Sequence, residues 1–276
     1  LPTSEDGPVR VRVFGGLAGR LGGNHLEVAL PDDGTVTVAE LRAELTREHP
    51  DIADLLPSVS VAVDLEVAED PRTIPAGAEV ALLPPVAGGA GEADGADGAD
   101  DARGADGADG ADDGGPVVIT GLAGPPLDIA GTLTRLATPT AGATALFLGT
   151  VRDHAPDLPD VVRLEYSAYE PMAERELDRI ARETVATHPA VTGVALLHAL
   201  GDLPVGAHTV LVACTSPHRD EAFAACREAL EELKSRVPVF KREITRDGSD
   251  RWVGLPERPG RPRNPPSGNI LHPRQP

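Results

Sequence analysis

The sequence predicts an α+β protein made of two small domains on one chain, and three observations predict it. Short stretches with two-residue apolar alternation recur along the chain, the spacing of half-buried strands. Four longer stretches with helical spacing are interleaved with them. Between the two groups lies a tract, residues 90–115, that is close to a repeat of Gly-Ala-Asp and holds no large apolar side chain. Such a tract cannot bury enough surface to offset its ordering entropy, so it is predicted to be a disordered linker with a mean reach of roughly 25–30 Å. The predicted layout is a disordered start over 1–8, a first domain over 9–89, the linker over 90–115, a second domain over 116–255 and a disordered Pro/Arg-rich tail over 256–276. A length of 276 residues is enough for two modest cores.

In the first domain "VRVRVF" alternates as a strand, and "HLEVAL" follows it after a Gly-rich connection. "TVAELRAELTREHP" opens with Thr37 and Glu40 at capping-box spacing, sets Val38, Leu41 and Leu45 on one face and stops at Pro50. "VSVAV" and "EVALLP" supply two later strands, giving one helix across a small mixed sheet whose last strand leads into Gly88–Gly89. In the second domain strands are predicted at 117–121, 144–151, 161–168, 191–199, 208–214, 239–245 and 251–253. Helices are predicted at 128–137, 171–187 and 217–236. Pro171 suits a first helical turn, and Ser216 before Pro217 suits an N-cap and the first position after it. The expected architecture is long helices over a sheet.

Composition narrows the function. The formal net charge of −19 is uneven: residues 1–89 carry 15 acids against 6 bases, 90–115 carry 9 against 1, and 116–276 carry 20 against 18. No part is basic enough for a nucleic-acid groove, while small anionic ligands remain open. No apolar run reaches 18 residues, so no membrane span is expected, and "LPTSEDGPVRVRVF" lacks the pattern of a signal peptide. Cys214 and Cys226 have neither zinc-site spacing nor neighbouring histidines. They are expected to be reduced thiols in a cytoplasmic protein, with no metal site.

Four places could carry chemistry. Of 25 Lys plus Arg only two are lysines, Lys234 and Lys241. A lysine amine can lose its proton and act as nucleophile or acid/base, whereas arginine stays charged. Composition alone leaves open that both are ordinary solvated lysines. "TSPHRDEAF" puts His218 and Arg219 at a helix start, where an anion could bind or where the residues simply face water. "LFLGTVRDH" ends an apolar strand in Thr150, Val151 and Arg152, and an arginine there could clamp an oxyanion. In "FKREI", Lys241 and Glu243 share one face of a strand and Arg242 takes the other. His218 and Lys234 would stand about 24 Å apart along one helix, so a small ligand touching both needs two copies of the chain, most simply a two-fold dimer.

Together these segments resemble the molybdopterin synthase family. The strand-rich first domain ending in "LLPPVAGG" resembles the small, ubiquitin-like β-grasp sulfur carrier. "FLGTVRDH", "TSPHRDEAF", "ELKSRVPVFKRE" and "DRWV", in that order, resemble the large subunit, whose fold is α/β-hammerhead-like. The resemblance covers 9–89 and 116–253. It implies a sulfurtransferase: the terminal glycine is adenylated by a partner enzyme, converted to a thiocarboxylate, and gives sulfur to cyclic pyranopterin monophosphate to form the dithiolene of molybdopterin. It also implies Lys234 and Lys241 as catalytic residues, Lys234 chief among them, with Lys241, Arg242 and Glu243 lining the substrate pocket. Thr150, Val151 and Arg152 would form another wall, and His218 and Arg219 would come from a neighbouring protomer of a large-domain homodimer. No permanently bound cofactor is implied, the sulfur being carried on Gly89.

One feature departs from the family pattern. Thiocarboxylate chemistry needs a free carboxyl group, yet Gly89 is joined to Ala90. The expectation is cleavage after Gly89 and reassembly as a heterotetramer, the linker leaving that bond accessible. The alternative is an uncut chain whose first domain is only a docking module, with sulfur supplied in trans.

Overall fold

The computed structural model of the chain describes residues 9–28, 36–75, 77–86, 115–156 and 158–256. The segments expected to be disordered (1–8, the linker apart from Gly115, and the tail beyond Pro256) lie outside the described residues, as do Gly88 and Gly89.

The first domain runs β1 (Val9–Val13), α1 (Gly15–Leu21), β2 (His25–Val28), β3 (Val36–Thr37), α2 (Val38–Glu48), two 3-10 turns, β4 (Ser60–Val63), β5 (Glu66–Ala68), β6 (Thr73–Ile74) and β7 (Val80–Leu83). Its main sheet has the order β2-β1-β7-β4-β5, and only the central β1–β7 pair is parallel. This is the expected β-grasp arrangement. The capping box forms: the Thr37 amide donates to Glu40 Oε2 at 2.8 Å and the Glu40 amide donates to Thr37 Oγ1 at 3.3 Å. Val38, Leu41 and Leu45 are fully buried and join Val11, Val61 and Val80 in one core. The Gly-rich connection, for which no helix is predicted, forms the short helix α1. Its glycines disfavour helix, but Leu17 sinks wholly into the core, and that burial outweighs the local preference.

The second domain runs β8 (Val117–Ala123), α3 (Ile129–Leu136), β9 (Ala143–Thr150), β10 (Val161–Ala168), α4 (Glu170–Thr187), β11 (Gly193–Ala199), β12 (Gly201–Pro204), β13 (His208–Ser216), α5 (Arg219–Arg236), β14 (Val239–Thr245) and β15 (Asp250–Trp252). The strands form two four-stranded sheets, β8-β11-β13-β9 and β12-β10-β14-β15. Helices α4 and α5 pack on the first sheet and on each other. Their ends are tied by Arg236, whose guanidinium donates to Glu176 (3.1 Å), Glu183 and Glu232 (3.1 Å). Burial opposes the charge on Arg236, but these carboxylates outweigh it and raise its pKa. This brace fixes the end of α5 that carries Lys234. Cys214 and Cys226 are free and buried.

The start of α5 corrects one expectation. Ser216 does not cap the helix; it ends β13, paired with Ala143 and fully buried, and His218 is the N-cap residue. The strand ladder holds Ser216 too deep, and its hydroxyl accepts from the His218 amide (3.2 Å) and donates to the His218 carbonyl.

The domains meet across a small apolar cluster. Ala62, Ala81 and Leu83 of the first sheet join Tyr169, Met172 and Phe240 of the second domain. The Phe14 ring stacks on Tyr169 at 4.9 Å and on Phe240 at 5.8 Å. Arg12 lies over the Tyr169 ring at 4.8 Å while its Nη1 reaches Glu79 at 2.7 Å. Tyr169 is wholly buried, and its Oη has no hydrogen-bond partner of good geometry among the described residues. Burial, together with the neighbouring Glu79 carboxylate, pushes its phenol pKa up.

Candidate active site

A cavity of about 750 Å³ opens between the two sheets of the second domain, at the C-terminal end of α5. Its inner wall is apolar, with Phe147 of β9, Leu164 and Tyr166 of β10, Val210 of β13 and Leu230 and Leu233 of α5. The outer wall is basic, with Arg152 and His154 after β9, Lys234 on α5, Lys241 on β14 and Arg251 on β15. Glu243 is the one carboxylate in this wall. A cationic cavity in a chain of net charge −19 is suited to an anionic ligand.

The alternation of β14 decides which side chains face in. Lys241 pairs with Tyr166 and Glu243 with Leu164, and all four line the cavity. Arg242 points to the other side, where it donates to Asp250 (2.8 Å) and Glu165 (3.2 Å). Glu243 is almost fully buried, and its charge is held from two directions. Arg251 donates to Glu243 Oε2 through Nη2 (2.7 Å) and Nε (3.2 Å), and Lys241 Nζ stands 3.6 Å from Oε1. Arg251 also donates to the Pro156 carbonyl at 3.2 Å, tying the loop that carries Arg152 and His154 to β15. Lys234 is held differently. Its Nζ sits 5.9 Å from the centre of the Phe147 ring, and no ion pair is seen for it among the described residues.

Two further groups on the wall stay neutral at physiological pH. His198 is buried, its Nδ1 is 2.9 Å from the Ala199 carbonyl and its ring meets Tyr166 edge-on at 4.9 Å. Burial lowers its pKa to about 4. Tyr166 is raised to about 12, again by burial first. They supply polar surface without charge.

Of the residues singled out from sequence, Thr150, Arg152, Lys234, Lys241 and Glu243 come together on this wall, while Val151 and Arg242 are not among the lining residues. Val151 is buried and exchanges backbone hydrogen bonds with Ala207 and Gly206. His218 and Arg219 are exposed at the opposite end of α5, about 24 Å away by helix rise. His198, Tyr166 and Thr209 also line the cavity, from strands without distinctive spacing in the sequence. Arg251 and Trp252, within the segment "DRWV", line it as well. Among the described residues no cluster of His, Cys, Asp or Glu is suited to hold a metal ion, and no helix is long and apolar enough to cross a membrane.

The mouth of the cavity faces the first domain. Val253, Gly254 and Leu255, which follow β15, line it, and Gly254 lies against Pro85, just after β7. The chain therefore leaves β7 beside the cavity, three residues before Gly88.

Comparison with known proteins agrees with this two-part reading. The ThiS family matches residues 11–89 and the MoaE protein family matches residues 122–236. A molybdopterin synthase catalytic subunit from Aspergillus niger is 40% identical over 127 residues, covering 46% of this chain and 69% of the relative. One from Nostoc is 47% identical over 114 residues, covering 41% of this chain and 68% of the relative. A solved molybdopterin synthase from Staphylococcus aureus aligns at 32% identity with a TM-score of 0.46, covering 49% of this chain and 96% of that one. With a β-grasp domain fused ahead of it, the chain belongs to the molybdopterin synthase catalytic-subunit family of sulfurtransferases.

Proposed function

We propose that this chain carries both halves of a molybdopterin synthase: the first domain is the sulfur carrier and the second the catalyst. After cleavage behind Gly89, that glycine is activated by a partner adenylyl- and sulfurtransferase and bears the sulfur as a thiocarboxylate. Its sulfur attacks an electrophilic carbon of cyclic pyranopterin monophosphate, forming a C–S bond and an acyl thioester while a C–O bond at that carbon breaks and the departing oxygen takes up a proton. Water then breaks the acyl C–S bond, leaving sulfur on the pterin and a carboxylate on Gly89. Two rounds make the dithiolene.

The observation that carries this reading is the contact of Pro85 with Gly254 at the rim of a cavity lined by Lys234 and Lys241. In this reading the four residues that follow Pro85, at about 3.3 Å each, carry the Gly89 end to the basic groups. In this reading Lys234 is the proton-transferring amine next to the thiocarboxylate. Arg152 and Lys241 hold the substrate's anionic groups, Glu243 orients Lys241, and Thr150 completes the wall. Val151 and Arg242 support it from behind. His218 and Arg219 serve the cavity of a second copy in a large-domain dimer, because they are too far from Lys234 to serve their own.

Lys234→Arg tests the assignment. It keeps the charge and removes the amine that can release a proton, so pterin conversion should fall by about 10²–10⁴-fold, the usual contribution of a positioned acid/base. Unchanged conversion would remove Lys234 from the mechanism.

A further inference from the structure

Gly15 and Gly16 open α1, and the atoms above them belong mainly to the other domain. A Cβ on Gly16 would stand 2.9 Å from Cβ and Cγ of Trp252 and 2.6 Å from Cδ1 of Leu255. Leu255 could swing its side-chain end aside, whereas Trp252 Cβ is fixed by the β15 backbone. Gly15, at φ +56°, would place a Cβ 3.3 Å from Phe240 and 3.1 Å from Pro84. From the facing side, Gly254 at φ +86° leaves room for the Pro85 carbonyl oxygen, which a Cβ there would meet at 2.9 Å. Gly19, further along α1, has nothing within 4 Å of the corresponding position. Glycine weakens a helix, and the three atoms nearest to Gly16 all lie in the second domain. Its missing side chain therefore serves the contact between domains rather than the first domain's own core. The same seam buries Tyr169 completely, its ring lying under Arg12 and stacked on Phe14 of the first domain.

We propose that this seam is a pairing key. The Trp252–Leu255 turn of the catalytic domain accepts a sulfur-carrier domain whose first helix begins with a glycine pair, and rejects one with a side chain at the second of those positions. The partner it fits is the small domain of this chain, in the same molecule or in a second copy. Close-packed surfaces make such a key strict, since neither backbone can retreat without opening the apolar cluster around Phe14 and Tyr169. The inference rests on the reading that a docked small domain delivers its tail to the cavity.

Its test reads docking alone. Trp252 is the single tryptophan of the chain and is half-buried at the seam. In the full-length protein, Gly16→Ala should shift its emission to the red and steepen quenching by acrylamide, while Gly19→Ala in the same helix should change neither. Equal behaviour of the two variants would overturn the key. If Gly16→Ala loses its helical circular dichroism, Leu255→Gly carries the test, since it leaves the small domain's sequence intact. Steeper quenching there supports the key, and unchanged quenching overturns it. A chain that docks with this fluorescence contrast but never converts pterin would refute the proposed reaction and leave the key standing.

Discussion

Lowering the pH from 8 to 5 should cost the folded chain stability through one buried imidazole. His198 is held neutral by burial, with a folded-state pKa of about 4, against about 6.5 for an unfolded histidine. As the pH falls below 6.5 the unfolded chain takes up a proton that the folded chain refuses until about pH 4. Stability present above pH 6.5 is thus lost through that window. With these two values the loss is about 2 kcal/mol at pH 5 and about 3 kcal/mol at pH 4. His198→Gln cannot ionise, and carboxylate titrations are common to both proteins. Urea unfolding of both, followed by Trp252 emission at pH 8 and pH 5, isolates the histidine. The wild type should lose about 2 kcal/mol more than the variant. Parallel losses would show that His198 is not excluded from charge, and the account of a neutral inner wall would fail with it.

Other outcomes follow from the same geometry. Tyr169→Ala should destabilise the chain by about 3–5 kcal/mol in thermal or urea unfolding. Tyr169→Phe, which removes only a poorly paired hydroxyl, should cost under about 1 kcal/mol. Arg251→Met leaves buried Glu243 with Lys241 alone and should cost about 1.5–3 kcal/mol, much of it recovered in the double variant with Glu243→Gln. Failure of that recovery would mean that Arg251 acts through contacts other than Glu243. Thr37→Ala breaks the capping box and should cost about 1 kcal/mol of first-domain stability, read by circular dichroism.

What was legible in the sequence followed from local rules. Thr37 and Glu40 announced the start of α2 because a capping box needs only four residues, and two-residue alternation placed Lys241 and Glu243 together and Arg242 opposite. Elsewhere tertiary packing overrides local preference. Five glycines in "GGLAGRLGG" point away from helix, yet Leu17 anchors α1 in the core. Ser216 and Pro217 look like a helix start, yet the β13 ladder claims Ser216. The short β12, "GDLP", carries a proline at its end and gave no alternation to read. The cavity itself joins β9, β10, β11, β13, α5, β14 and β15, so its inner residues His198, Tyr166 and Thr209 have no common signal along the chain. Arg251 acts through Glu243, eight residues away across a hairpin, and through the Pro156 carbonyl, 95 positions away. The domain seam was equally silent, because Phe14 and Tyr169 meet across 155 positions.

The account depends on sulfur arriving on the end of the first domain. Intact mass spectrometry of the protein from cells making molybdopterin measures that end directly. The predicted result is a fragment that stops at Gly89, part of it heavier by the exchange of one oxygen for sulfur. A single uncut chain in such cells, or a cut fragment that never gains sulfur, would contradict it.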